Sequence, residues 1–425
     1  MSESGHELVR RDARVLWHPY TQHGLERDPL PVVRAQGAWL ELADGRKVLD
    51  AISSWWACLH GHAHPRITSA IAEQARTLDH VLFAGATHEP AVALAERLLA
   101  VAPRGLARVF YSDDGSTAVE VALKMVAQAW VQRGEPRRTV FVALEGAYHG
   151  DTFGAMAAGD PQPFFGAFEP FLFAVRRVPP DAQRLAAALE ELGARAAGVI
   201  VEPLVQGAAG MRMHGAEFLR AARAACDRHG LPLIADEVMT GFGRTGALFA
   251  CERAGIAPDL LCLGKGLTGG TLPLAATLTT AALFEAFLHH ERARFFPHGH
   301  TFTANPIACA AALASLELCR VDAVPSCLEH IGAEIEGGLV ELRGDARVLD
   351  LRRTGGIVAL ELAVPAGERA GYASTLAPEL RRRALEHGVL LRPLGNVLYA
   401  LPPASLTDEE CALVAAAMRA LVRSL

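Results

Sequence analysis

Along the middle of this 425-residue chain, short runs that are apolar throughout alternate with alanine-rich stretches of helical period. This alternation limits the fold more than any other feature. Arg108–Ser112, Thr139–Leu144, Gly198–Glu202, Leu231–Asp236, Leu260–Gly264 and Pro273–Thr279 read as strands. Runs without polar alternation suit strands covered on both faces. Thr117–Arg133, Asp181–Gly193 and Ala216–His229 read as helices between them. The expected fold is α/β, with a large, mostly parallel open sheet. In such sheets ligands collect beyond the carboxyl ends of the strands.

The flanks differ. Ala38–Asp50 reads as a hairpin turning at Asp44-Gly45. Beyond Val321, helices mix with short strands at Ile357–Leu362 and Val389–Arg392. The expected division is a large domain over residues 64–320 and a smaller α+β domain assembled from residues 1–63 and 321–425.

Bulk properties exclude several classes. Hydrophobic residues make up 51 % of the chain and charged residues 21 %, which disfavours disorder. A net charge of −6 offers no basic field for nucleic acid or an anionic membrane. Eight scattered cysteines without a CxxC pair read as reduced thiols. The first residues lack a signal-peptide core, and the uncharged run Gly266–Phe284, broken by Gly, Thr and Pro, is too polar to span a bilayer. A cytoplasmic protein is expected.

Three strand ends carry chemistry. After the first, Gly115 permits close backbone approach, and Thr117 with Glu120 fits a capping box. The exposed N–H groups around Gly115 and Ser116 suit a phosphate, although an ordinary helix cap reads the same way. Asp236 ends a second apolar run, where a carboxylate needs a partner: a cap, a metal or a protonated ring nitrogen. Lys265 ends a third, between Gly264 and Gly266. Of 41 basic residues only Lys47, Lys124 and Lys265 are lysine. A lysine emerging from a buried strand is desolvated, and only an amine can form a Schiff base. Phosphate donors, an aspartate for a ring nitrogen and a Schiff-base lysine are together the parts of a pyridoxal 5′-phosphate (PLP) site. Tyr148, beyond another strand end, offers a flat face to the ring.

A rival reading rests on His60-Gly61-His62-Ala63-His64, whose alternate histidines could ligate a metal. No acid accompanies them at a metal-site spacing, and no metal is expected.

At these residues the sequence resembles the class III (ω-type) aminotransferases of PLP fold type I. The matching stretches are Ala235–Val238 with Gly241–Gly246, Pro258 to Lys265, and Gly299–Pro306. The resemblance implies that Gly115, Ser116, Tyr148, Asp236, Lys265, His300 and Thr301 hold the cofactor. Thr301 would reach the phosphate from a partner subunit, making a homodimer with active sites at the interface. Lys265, Tyr20 and Asp236 would be catalytic. Tyr20, Trp55, Tyr148, Asp151, Arg244, Lys265, Gly299 and Arg392 would contact substrate, with Arg392 taking a carboxylate through its planar fork. Glu202 would border the cofactor. Trp17–Thr21, Ser53–Ala57, Tyr148–Met156, Glu202–Gly207 and Leu391–Gly395 point to one branch of the family. That branch aminates 8-amino-7-oxononanoate in biotin biosynthesis, with S-adenosyl-L-methionine as donor and lysine as the alternative; an ornithine or ω-amino-acid aminotransferase is the second reading. Two residues depart from the family pattern: His300 stands where proline is expected, and Asp113-Asp114 makes the phosphate turn acidic.

Overall fold

The computed structural model describes residues 3–25, 29–162, 165–365, 367 and 370–425. Its centre is a seven-stranded sheet: β1 Leu106–Ser112, β2 Val140–Leu144, β3 Val175–Val178, β4 Ala196–Val201, β5 Leu233–Asp236, β6 Leu260–Leu263 and β7 Ala275–Thr280. The spatial order is β1-β7-β6-β5-β4-β2-β3. β7 runs antiparallel to both β6 and β1, and the pairs from β6 through to β3 are parallel. Every residue of β4, β5 and β6 is buried, which is why these strands read as unbroken apolar runs. β3 has no such signature. Its Val-Arg-Arg-Val sequence belongs to an edge strand that carries one arginine on each face.

Helices Gly115–Gln132, Ala182–Leu192 and Ala216–His229 connect the strands. The first begins one turn-corner earlier than the sequence suggests. Asp114 is the N-cap: its carboxylate accepts from Thr117 N at 3.0 Å, and Thr117 Oγ1 accepts from Asp114 N at 3.1 Å. The capping box expected between Thr117 and Glu120 is therefore not formed. Glu120 instead accepts from Gly154 N and Ala155 N at 2.6 and 3.2 Å, anchoring the segment that follows Tyr148. The acidic turn thus has a local use, because a carboxylate at the N-cap satisfies a helical N–H.

The two flanks meet in one sheet. Trp39–Leu42 and Lys47–Asp50 form the hairpin, and Lys47–Asp50 pairs in parallel with Val389–Leu390. Gly45, at φ 84°, makes the turn. Val348–Thr354, Ile357–Leu362 and Val397–Ala400 form a further antiparallel sheet. Among the described residues no helix is long and apolar enough to cross a membrane. All eight cysteines are free thiols.

Candidate active site

A cavity of about 500 Å³ lies beyond the carboxyl ends of the central strands. Asp113 to Ser116 line it from the end of β1, Tyr148 to Gly150 from the loop after β2, Glu202 from β4, Asp236 from β5 and Lys265 from β6. Each enters because its strand stops there. Gly115 cannot carry a side chain without a shift, since a Cβ would sit 2.5 Å from Val238 Cγ1. At Gly150 a Cβ would lie 2.0 Å from Ser116 Oγ. The glycines press two loops together at the start of an 18-residue helix, leaving its first N–H groups facing the cavity.

Asp236 is buried and held on both oxygens. Oδ1 accepts from Val238 N at 3.1 Å, and Oδ2 lies 2.7 Å from His149 Nδ1. The His149 ring is fully buried, and its Nε2 has no partner among the described residues. Burial pulls the His149 pKa down, but the Asp236 hydrogen bond and the charges of Asp236 and Glu202 outweigh it, leaving it raised. Glu202 accepts from Tyr148 N and Gly207 N, and burial raises its pKa to about 7. Lys265 lines both this cavity and the one beside it, and burial lowers its pKa despite Asp236 and Glu202 nearby. Its φ of 43° is unusual for a residue with a side chain. Strain of this kind persists where surrounding structure enforces it.

A second cavity of about 360 Å³ adjoins the first, sharing Trp56, Tyr148 and Lys265. Tyr20, Trp55, Asp151 and Arg392 line it. Tyr20 Oη and Tyr148 Oη both donate to Asp151 Oδ1, at 2.5 and 3.0 Å. Burial and the Asp151 bond raise the Tyr20 pKa, and burial with the Tyr20 contact raises that of Tyr148, so both keep their protons. Tyr20 and Trp55 meet edge to face at 5.6 Å, and the Arg392 guanidinium lies 4.7 Å from the centre of the Trp55 ring. The stack steers the fork without neutralising it.

Four expected site residues lie elsewhere. Arg244 lines neither cavity; it is buried, donating to Pro402 O at 2.6 Å and Trp56 O at 3.3 Å. The expectation that it contacts substrate does not match this placement, because its donors are aimed at the main chain. Gly299, His300 and Thr301 lie on a loop outside both cavities, with Gly299 and Thr301 exposed. The His300 ring pairs with Asp113 at 3.0 Å, and the backbone N–H that a proline would lack donates to Thr303 Oγ1 at 2.9 Å, within the loop. Lys124 reaches the same loop, 3.0 Å from His298 Nδ1.

The alternate histidines diverge. His60 Nε2 meets Ser315 Oγ, His62 Nε2 meets Asp50 Oδ2, and His64 precedes a helix. No three metal-ligating side chains converge among the described residues.

His149 and Trp56 also line the larger cavity, although the sequence marks neither as a site residue. Both stood beside residues it did select, and an adjacent histidine after a buried strand was the available signal. The donor set fits PLP: an anion-binding turn, a carboxylate for the ring nitrogen, a desolvated amine and a flat aromatic face.

Comparison with known proteins agrees with the geometry. Residues 20–422 match the class-III aminotransferase family. The adenosylmethionine-8-amino-7-oxononanoate aminotransferase of Synechococcus elongatus is 50 % identical over 96 % of this chain and 98 % of its own length. That of Corynebacterium glutamicum is 40 % identical over 98 % of each. The crystal structure of the Methanocaldococcus jannaschii enzyme of that name superposes with a TM-score of 0.94 at 36 % identity, covering 99 % of both chains. A PLP-bound amine transaminase from an uncultivated Pseudomonas species superposes at 0.90 with 33 % identity, covering 96 % of this chain and 98 % of its own. With this fold and these relatives, the chain belongs to the class-III aminotransferases, enzymes dependent on pyridoxal phosphate.

Proposed function

We propose that the protein transfers an amino group from S-adenosyl-L-methionine to the 7-keto carbon of 8-amino-7-oxononanoate, giving 7,8-diaminononanoate in biotin biosynthesis. The observation that carries this reading is the second cavity. It brings aromatic walls, the Arg392 guanidinium and the Lys265 amine into one lining. A long aliphatic acid needs apolar area along its length and a cation at its carboxylate. A sulfonium donor is served by the same π faces. The relatives' shared name supports the substrate pair.

When bound, PLP supplies an aldehyde and a protonated ring that withdraws electrons from the reacting carbon. Gly115, Ser116 and the helix start would hold its phosphate. Asp236 would keep a proton on the ring nitrogen. His149, at 2.7 Å, fixes that carboxylate in place. Lys265, whose pKa burial lowers, would hold the aldehyde and would move a proton at the substrate Cα as general base and acid. Tyr148 would stack on the ring. Tyr20 and Asp151 would close the pocket toward the amine end of the substrate, and Arg392 would grip the carboxylate.

Gly299, His300 and Thr301 would complete the site of a neighbouring subunit, in a cytoplasmic homodimer. Their exposure on a loop outside this subunit's own cavities supports this arrangement.

The test is product formation. Protein supplied with PLP and 8-amino-7-oxononanoate should yield 7,8-diaminononanoate by mass spectrometry with S-adenosyl-L-methionine as donor. Product with lysine alone would reassign the donor. No product with either would reject the assignment.

A further inference from the structure

Of the two acids ahead of Gly115, Asp114 caps the helix and Asp113 does not. The Asp113 carboxylate stands in the wall of the larger cavity, beside the Gly115 and Ser116 that would hold a phosphate. A negative charge there opposes an anion, so it needs another use. Its contact is with a different segment: Asp113 Oδ2 lies 3.0 Å from His300 Nδ1.

His300 ends a row of anchors. Gln132 Nε2 donates to Arg294 O at 2.9 Å, Gln128 Nε2 donates to Phe295 O at 2.8 Å, and Lys124 Nζ lies 3.0 Å from His298 Nδ1. Arg294 returns a bond to Gln132 O at 2.9 Å, and Phe296 packs edge to face on Phe110 of β1 at 5.5 Å. Gln132, Gln128 and Lys124 recur at the spacing of one helix face. Residues 294–298 therefore run back along the helix Gly115–Gln132 toward its start, and Asp113, just before that start, takes the next contact.

The chain then turns. His300 N donates to Thr303 Oγ1 at 2.9 Å, and Thr303 N donates to His300 O at 3.2 Å, which leaves Thr301 exposed at the tip. The Asp113 and His300 side chains are 37 % and 20 % exposed, so their pair adds little to folding. Its effect is on where the tip sits. A proline at position 300 could make neither the ring contact nor the N–H bond.

We propose that Asp113 is a positioning residue for the neighbouring subunit's site: through His300 it sets the tip that carries Thr301 toward that subunit's cofactor phosphate, although Asp113 itself lies in the wall of its own cavity. The proposal rests on the reading that Thr301 completes the site of a partner subunit.

The test is PLP binding by the apoprotein, followed against free PLP through the visible band of lysine-bound cofactor. Only subunits that keep Lys265 give this band. D113A and H300A should each raise the half-saturating PLP concentration about fivefold, the upper value for a partly exposed ion pair. The double variant D113A/H300A should be no weaker than either, because both changes break one contact. D113A is then refolded with a large excess of K265A. Nearly every subunit that gives the band now sits beside a partner whose own Asp113 and His300 are intact, and the midpoint should return to the wild-type value. A midpoint that stays at the D113A value would make Asp113 a residue of its own site and overturn the proposal. An unchanged midpoint in both D113A and H300A alone would also overturn it. Should D113A fail to fold, H300A beside K265A decides by the same two outcomes. T301A beside K265A separates the two readings. If T301A recovers and D113A does not, only the role of Asp113 fails; if neither recovers, the shared site itself fails.

Discussion

His149 Nδ1 and Asp236 Oδ2 face each other at 2.7 Å, both buried, at the base of the larger cavity. The pair sets a carboxylate where, in the proposed reading, a ring nitrogen would need one. In Asp236→Asn that charge is lost, and turnover should fall by roughly a hundredfold or more, on the scale of a lost acid–base contribution. His149→Ala should fall less and should keep PLP bound. Steady-state rates with cofactor absorbance check both; an unchanged rate in Asp236→Asn would remove it from the chemistry.

Arg392 is stacked on Trp55 and has no carboxylate partner among the described residues. Arg392→Ala should raise KM for the keto acid by about 10- to 100-fold, the value of a charge-assisted hydrogen bond, with kcat little changed. A loss confined to kcat would move Arg392 from substrate binding to the chemical step.

Thr301 can serve another subunit's phosphate only if sites are shared. Neither Lys265→Ala nor Thr301→Ala protein alone should approach wild-type turnover. Mixed after mild unfolding, they should regain about a quarter of wild-type activity, since half the dimers then carry one intact site. No recovery on mixing would place Thr301 and Lys265 in the same subunit's site.

Glu202 and Glu237 are both buried, and burial raises each pKa to about 7. Glu237 also accepts from Ala250 N and Cys251 N. A raised carboxyl pKa means that the folded state binds more protons than the unfolded chain. Its stabilisation is fully present below the unfolded value near 4.5 and is lost as pH rises through about 7. Denaturant unfolding across this window should show stability declining. The slope in Glu237→Gln should be shallower by one proton, about 1.4 kcal/mol per pH unit. Identical slopes would mean that Glu237 is already ionised at the acid end.

Residues whose role follows from the end of an apolar strand were legible in the sequence: Gly115, Asp236 and Lys265 each stand at or just past the end of such a strand. The edge strand Val175–Val178 was not, because its two arginines, one on each face, break the apolar run. The helix start was displaced because Asp114, Thr117 and Glu120 can each cap, and only the loop at Gly154 shows which one Glu120 serves. Arg244 donates to the carbonyl of Pro402, 158 positions away, and no local pattern encodes such a distance.

The central claim is that Lys265 and bound PLP accept an amino group from a donor before any acceptor is present. Purified protein mixed with S-adenosyl-L-methionine alone, in a single turnover, should convert bound PLP to its amine form and release one keto product per site. Lys265→Ala should bind PLP without this conversion. Conversion at the wild-type rate in Lys265→Ala, or none in the wild type with S-adenosyl-L-methionine or lysine, would contradict the account.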